Sequence, residues 1–311
     1  MKVSICIPVY QNSIGLKRLL KSIACQDFFD YEVVIADDSI DNSCYEVVKG
    51  FLNAGSLKNK IIYHKNEERL GSPKNWNRTL DLASGEFVKL MHHDDEFATA
   101  SALSSLTKKL NGEGESILIA CASVDIKKDC LIQRNKLNPE EVIKINHSPE
   151  ILLFSNIIGA PSVAIWRSGE FRFNENLVWL VDIDFYLRVI KSAPLKYLDQ
   201  ELIKIHVGEA GQLTKKCIYD TQLILRETLL VYRSIDQNMK YSHSFQEMWI
   251  RIFEYCNLRS IRCIDNYGLN EADLNFLIEC YSMYKRNYYY RSPIILKYAI
   301  KRMLYKITNI L

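Results

Sequence analysis

Two pairs of adjacent carboxylates carry the chemistry that this chain could perform. Asp37-Asp38 closes the apolar run Glu32–Ala36, and Asp94-Asp95 follows Glu86–Met91 and the pair His92-His93. Neighbouring carboxylates repel one another and lose hydration where a strand opens into a cleft; a hard divalent cation resolves that conflict. Mg²⁺ is commonly held by one or two carboxylates together with substrate phosphate oxygens. Asp94-Asp95 therefore suits a metal–diphosphate site. The chain has no Gly-x-x-x-x-Gly-Lys-Ser/Thr loop and no Gly-x-Gly-x-x-Gly after its first apolar run. A phosphate here would be held by the metal and by basic side chains. His92 and His93 read as residues lining such a site rather than as ligands. Plainer readings stand beside these. Asp37-Asp38 can form a turn and cap before Asp41-Asn42-Ser43, Asp94-Asp95-Glu96 can cap the next helix, and Arg69 can be a surface arginine.

These residues need a frame that gathers them. Val3–Val9 reads as a buried strand; Leu16, Leu19, Leu20 and Ile23 follow at helical spacing, with Lys17, Arg18 and Lys21 on the other face. Glu32–Ala36 is a second strand, Tyr45–Leu52 a second helix and Lys60–His64 a third strand. Pro73 opens a helix running to Ala83, since proline suits a first helical turn; Gly85 stops it, and Glu86–Met91 is a fourth strand. Continuous apolar strands alternating with helices imply a parallel sheet covered on both faces. Ligands bind such a sheet at the carboxyl ends of its strands. There the sequence places Pro8, Tyr10 and Gln11, then Asp37 and Asp38, then Lys65, Asn66, Arg69 and Gly71, then His92 to Asp95. Further on, Ala98–Leu110 and Asp182–Ile190 read as helices, and Ile117–Val124 and Val163–Trp166 as strands. Lys196–His206 reads as two short strands around Asp199-Gln200, and the pattern from Cys217 onward is helical.

Of the 311 residues, 48% are apolar and 25% charged, which excludes a disordered or collagen-like chain. Lys and Arg number 40 against 37 acids, a net charge of +3 that argues against a nucleic-acid partner. The basic excess is local. Lys285, Arg286, Arg291, Lys297, Lys301, Arg302 and Lys306 lie in residues 285–311, which hold no acid. There Leu296, Ile300, Met303, Leu304 and Ile307 share a helical face, and five tyrosines add interfacial aromatics. This is the pattern of a helix on an anionic membrane surface, and equally of a helix packed on its own protein with a solvated basic face. Nine cysteines without a Cys-x-x-Cys pair read as reduced thiols of a cytosolic protein. Met1–Pro8 reads as a strand rather than a signal peptide, and no run reaches the ~18 apolar residues of a membrane span.

Taken in order, Val3-Ser4-Ile5-Cys6-Ile7-Pro8-Val9-Tyr10-Gln11-Asn12, Glu32-Val33-Val34-Ile35-Ala36-Asp37-Asp38-Ser39, and Ala83-Ser84-Gly85-Glu86-Phe87-Val88 leading to Asp94-Asp95 resemble family 2 glycosyltransferases. The resemblance covers about residues 1–216. It implies an α/β GT-A fold, a Rossmann-like mixed sheet flanked by helices, with a nucleotide-binding half at about 1–97 and an acceptor half at about 98–216. A helical region follows at 217–311. It further implies an inverting enzyme that uses a nucleotide-sugar donor, with UDP expected, and a divalent metal, Mn²⁺ or Mg²⁺. The acceptor would be a saccharide or a lipid-linked saccharide of bacterial surface-polysaccharide assembly. That would place the protein in the cytoplasm, peripheral on the inner face of the membrane if residues 285–311 bind it.

Carried over position by position, the resemblance gives Pro8, Val9 and Tyr10 the lining of the nucleobase, with Tyr10 stacking on it. Asp38 accepts a hydrogen bond from the base, and Asp37 helps hold that loop. Asn66, Arg69, Gly71 and Asn75 close over the nucleotide and donor sugar, Asp94 contacts ribose or sugar, and Asp95 binds the metal. Asp182 matches the aspartate of the family's Glu-Asp motif, the catalytic base, and His206 a late histidine that reaches metal or diphosphate. Val181 stands where the family has Glu, which leaves the base open between Asp182 and Asp184 and keeps a non-catalytic nucleotide-sugar binder in play. Asp182 also reads as an ordinary helix-start charge, and His206 as a structural strand histidine. A nucleotidyltransferase is a weaker alternative, since Pro8–Ser13 lacks a glycine-rich, basic phosphate loop.

Overall fold

The structure, a computed structural model, describes residues 2–57, 59–112, 118–153, 155–169, 171–209, 212, 217, 219–234, 249–250, 252–254 and 271–288. The chain divides into two compact units, residues 1–152 with 156–212, and residues 153–155 with 213–311.

The described strands of the first unit form one nine-stranded sheet. They are β1 (Val3–Val9), β2 (Tyr31–Asp37), β3 (Ile61–Lys65), β4 (Phe87–Leu90), β5 (Glu96–Phe97), β6 (Leu118–Lys127), β7 (Cys130–Asn135), β8 (Ala164–Arg167) and β9 (Leu195–His206). The order is β3-β2-β1-β4-β8-β6-β9-β5, with β7 paired to β6. Every residue of β1 and β2 is buried, as continuous apolar runs in a covered parallel sheet require. The parallel reading holds for β3, β2, β1 and β4; β8 then runs antiparallel to both β4 and β6, so the sheet is mixed.

Helices α1 (Ser13–Ala24), α2 (Ser43–Ala54), α3 (Ser72–Leu82), α4 (Ala102–Gly112), α5 (Pro139–His147) and α6 (Val181–Ser192) belong to the same unit. The Asn12 side chain accepts from Gly15 N at 2.9 Å and caps α1. Pro73 lies in the first turn of α3, which packs on β1 and β2. The α4 helix begins four residues later than its periodicity implies, because Glu96–Phe97 first pairs with β9. Lys196–His206 is not two strands but part of one. Cys121 of β6 faces Leu198 and Ala122 faces Glu201, so Asp199-Gln200 is a bulge that the strand passes through.

A buried carboxylate ties the base of the sheet together. Glu32 of β2 accepts from Ser4 Oγ of β1 at 2.6 Å and from the Ser84 amide and hydroxyl at 2.6 and 2.7 Å, and it pairs with Lys2 at 2.5 Å. Burial alone would raise its carboxyl, but these donors outweigh burial and hold it at about 2. A Cβ on Gly85 would lie 2.6 Å from the backbone nitrogen of Ser4, so only glycine lets α3 turn into β4 this close to β1. Cys6 of β1 is fully buried, its thiol donating to Thr79 O at 3.6 Å, and burial pushes it up to about 12.

In the second unit, α7 (Thr221–Arg233) is capped by Asp220, which accepts from Leu223 N at 3.0 Å. Tyr232 of α7 stacks on Phe276 of α8 (Glu271–Tyr288) with ring centroids 5.0 Å apart. Residues 289–311, most of the basic segment, lie outside the described residues. No helix among the described residues is long and apolar enough to cross a membrane.

Candidate active site

Register brings the strand ends level. Val9 pairs with Asp37 and Asp37 with Lys65, so Tyr10, Asp38 and Asn66 leave the sheet side by side. The Asp37 carboxylate faces inward and holds the loop. It accepts from Ser39 N at 2.8 Å and Tyr63 Oη at 2.6 Å, and pairs with Lys65 at 3.5 Å. Lys65 donates in turn to the carbonyls of Ser39 and Asp41.

Asp38 gathers the segment before α3. Its Oδ1 accepts from Asn66 Nδ2 at 3.0 Å and Leu70 N at 2.8 Å, and its Oδ2 from Gly71 N at 2.9 Å. A carboxylate offers about four acceptor positions, so Oδ2 retains capacity for one more donor. Gly71 has φ +82°, the left-handed region that favours glycine, which lets its amide turn back to Asp38. Asn75 is buried beneath, its Oδ1 accepting from Asn66 and its Nδ2 donating to Ala36 O at 3.0 Å. The guanidinium of Arg69 lies 4.5 Å from the centre of the Tyr10 ring. The structure thus brings Tyr10, Asp37, Asp38, Asn66, Arg69, Gly71 and Asn75 together at one edge.

The β4 end closes on the same edge. Met91 N donates to Cys6 O at 2.8 Å, and His93 Nδ1 lies 3.0 Å from Pro8 O. Asp95 N reaches back to His92 O at 3.0 Å, so the turn folds His92 and Asp95 toward each other. One ligand atom from each of His92, Asp94 and Asp95 lies within 4.8 Å of the others. Asp95 is 2% exposed, and its Oδ2 has no hydrogen-bond partner; neither has the buried His92 Nε2. Burial, followed by the charge of Asp94, raises the Asp95 carboxyl well above its usual range. For Asp94 burial is outweighed by His93, His92 and the amide of Gln212, and its carboxyl is lowered. Burial lowers the His92 imidazole to about 4, leaving it neutral at pH 7. Two carboxylates crowded in a buried turn, one with an unpartnered oxygen, fit a divalent cation.

Beneath the turn lies Lys89, fully buried in β4, which donates to the carbonyls of Ser162 and Ala164. Burial lowers its ammonium to about 8. Ser162 Oγ accepts from His92 N at 3.0 Å. The His206 ring does not join the metal-capable trio. Its Nε2 lies 3.2 Å from Glu96 Oε1, while its carbonyl and Asp94 Oδ2 both accept from Gln212 Nε2, at 2.6 and 2.8 Å. Gln212 was not legible from the sequence.

Asp182 and Asp184 open α6 in different surroundings. Asp182 accepts from Asn156 Nδ2 at 2.6 Å and Ile183 N at 2.9 Å, and burial raises its carboxyl to about 6. Asp184, 2% exposed, is spent on Arg188, whose Nε and Nη2 lie 3.0 and 2.8 Å from its Oδ2. Asn156 also donates to Gly159 O at 2.9 Å, and Tyr186 to Ala160 O at 3.2 Å. Residues 156–164 therefore join the surroundings of Asp182 to Lys89 and the His92 turn.

A mixed sheet of this order, flanked by helices, has the architecture of the GT-A glycosyltransferases. The crystal structure of S. aureus TarS in complex with UDP-GlcNAc matches 90% of this chain and 79% of that one, with a TM-score of 0.62 at 20% identity. The mannosyltransferase PcManGT from Pyrobaculum calidifontis, in complex with GDP-Man and Mn²⁺, matches 98% and 80% with a TM-score of 0.58 at 15% identity. The family model for Glycosyl transferase family 2 matches residues 4–163, just over half of the sequence. The chain belongs to that family and is a glycosyltransferase. The GalNAc(5)-diNAcBac-PP-undecaprenol beta-1,3-glucosyltransferase of Campylobacter jejuni is 36% identical over 111 residues, 35% of each chain.

Proposed function

We propose that the chain transfers a sugar from a UDP-sugar to a hydroxyl of a saccharide or lipid-linked saccharide, with inversion, in bacterial surface-polysaccharide assembly. The observation that carries this reading is the buried, unpartnered Asp95 Oδ2 beside Asp94, on a turn that touches the strand-one loop through His93 and Pro8. UDP is favoured by the UDP-GlcNAc and UDP complexes of TarS, and a lipid-linked acceptor by the name of the Campylobacter relative.

Pro8, Val9 and Tyr10 line the nucleobase, and the spare capacity of Asp38 Oδ2 accepts from its ring. Asn66, Arg69, Gly71 and Asn75 close over the nucleotide, and Asp94 orients ribose or sugar. Asp95 would hold a divalent cation, which would supply positive charge against the departing diphosphate. Asp182 removes the acceptor proton as that oxygen attacks the anomeric carbon. One displacement inverts the centre and needs no covalent enzyme intermediate. The pairing of Asp184 with Arg188 supports Asp182 in this role. His206, expected at the metal, serves instead by bracing Glu96 and, through Gln212, steering Asp94.

Thermal melting with UDP tests the reading. UDP with Mn²⁺ is expected to raise Tm, equivalent to about 2.7 kcal/mol at 100-fold excess over Kd, and EDTA or Asp95→Ala to remove the gain. Equal stabilisation with EDTA and with Mn²⁺ sinks it. Val181 favours a second reading, a catalytically silent nucleotide-sugar binder, which predicts the same shift but no donor turnover with or without acceptor.

A further inference from the structure

We propose that His92 joins Asp95 as a ligand of the cation, a mixed nitrogen–oxygen set that selects a first-row transition metal over Mg²⁺. The proposal rests on the metal reading above and narrows it. Three imidazoles lie around the site: His93 and His206 each hold one ring nitrogen on the chain, Nδ1 3.0 Å from Pro8 O and Nε2 3.2 Å from Glu96 Oε1, and neither joins the group of His92, Asp94 and Asp95 whose ligand atoms lie within 4.8 Å of one another. The His92 ring makes no such commitment. Its Nδ1 stands 3.8 Å from Asp95 Oδ2, too far for a hydrogen bond, and its Nε2 is buried with no partner. Asp95 Oδ2 is buried without a hydrogen-bond partner, and the imidazole nitrogen beside it does not supply one; a cation between them would bind both.

The ring is also held in place. It packs on Trp76 with centroids 4.8 Å apart, and Trp76 is set edge-on to Phe173 at 5.0 Å. The backbone of His92 is pinned at its amide by Ser162 Oγ and at its carbonyl by Asp95 N, both at 3.0 Å. A fixed imidazole beside two carboxylates is a mixed nitrogen–oxygen ligand set. Imidazole suits Mn²⁺ less than Co²⁺ or Zn²⁺, yet all of these better than Mg²⁺, which prefers oxygen and water.

Metal binding to the full chain, without donor, decides the matter. Calorimetric titration should show Mn²⁺ and Co²⁺ binding at least ~10-fold tighter than Mg²⁺, and pulsed EPR of bound Mn²⁺ should show nitrogen hyperfine coupling from imidazole. His92→Asn should abolish that coupling and weaken Co²⁺ by about 10–100-fold with little change for Mg²⁺, whereas His92→Asp should narrow the gap between the two metals. His206→Ala should leave the coupling in place. Absence of nitrogen coupling in the wild-type protein, or its survival in His92→Asn, overturns the proposal without recourse to activity. If Asp95→Asn abolishes binding while His92→Asn leaves the Co²⁺ to Mg²⁺ ratio unchanged, the metal site stands and the role of His92 falls. Wild-type protein that binds no metal saturably removes both.

Discussion

Asp182 and Asp184 share the first turn of α6 in different surroundings, and the proposed mechanism gives them opposite work. The Asp182 carboxyl, raised by burial to about 6, must ionise before it can take a proton. Transfer measured as kcat/KM should therefore climb with pH through about 6 and level above it. Asp182→Asn should bind UDP normally, lose ~10²–10⁴ in rate and lose the acid limb. The sign for stability is the reverse of the usual carboxylate. With a folded value above the unfolded one, Asp182 stabilises the fold only while protonated, and that contribution disappears as pH rises through about 6. Asp182→Asn should accordingly melt higher than wild type at pH 8. Asp184→Asn should instead melt lower, because Arg188 loses its partner, while the folded fraction still transfers. Normal transfer by Asp182→Asn alongside its loss in folded Asp184→Asn would place the base two residues away. Asp37-Asp38 and Asp94-Asp95 were legible because strand ends collect polar residues while strands stay apolar, whereas Asp182 came from the family resemblance alone. The choice between Asp182 and Asp184 was not legible, since it depends on Asn156 and Arg188, one of them 26 residues away in sequence. Nor was His92, because nothing in a sequence says which way a turn points a ring.

At the scale of elements, the Glu32 cluster fastens β1, β2 and the α3–β4 turn to one another. Its carboxyl is held at about 2, below the unfolded value, so the stability it contributes is present above about pH 4.5 and lost as pH falls through about 2. Glu32→Gln should lower Tm at pH 7 and converge on wild type near pH 2–3. A constant difference in Tm across that range would mean that packing rather than ionisation is responsible. The same four strands were the most legible part of the fold, since each is a short apolar run bounded by turn residues. The β6–β7 hairpin escaped notice because β7 is exposed along most of its length and carries no burial pattern. The β9 bulge was read as a break because Asp and Gln imitate a turn, and only the partner strand reveals that pairing resumes.

The whole molecule comprises a unit that carries most of the family match and a second unit whose last residues carry the basic segment. If residues 285–311 bind an anionic bilayer, each Lys or Arg near the surface contributes up to ~1 kcal/mol. The full chain should then co-sediment with phosphatidylserine vesicles at low salt, and a chain ending at Lys285 should not. Equal sedimentation of the two would assign the segment to packing within the protein. A different use follows from the thiols. Cys25 and Cys130 are exposed, whereas Cys6 and Cys121 sit inside the sheet with values pushed to about 12 and 11. Burial holds Cys6 as the unreactive thiol at pH 8, and no reagent can reach it while β1 is covered. Iodoacetamide followed by mass spectrometry should thus mark the surface cysteines at once and Cys6 only when the sheet opens. The native sequence carries its own clock for the lifetime of the folded state.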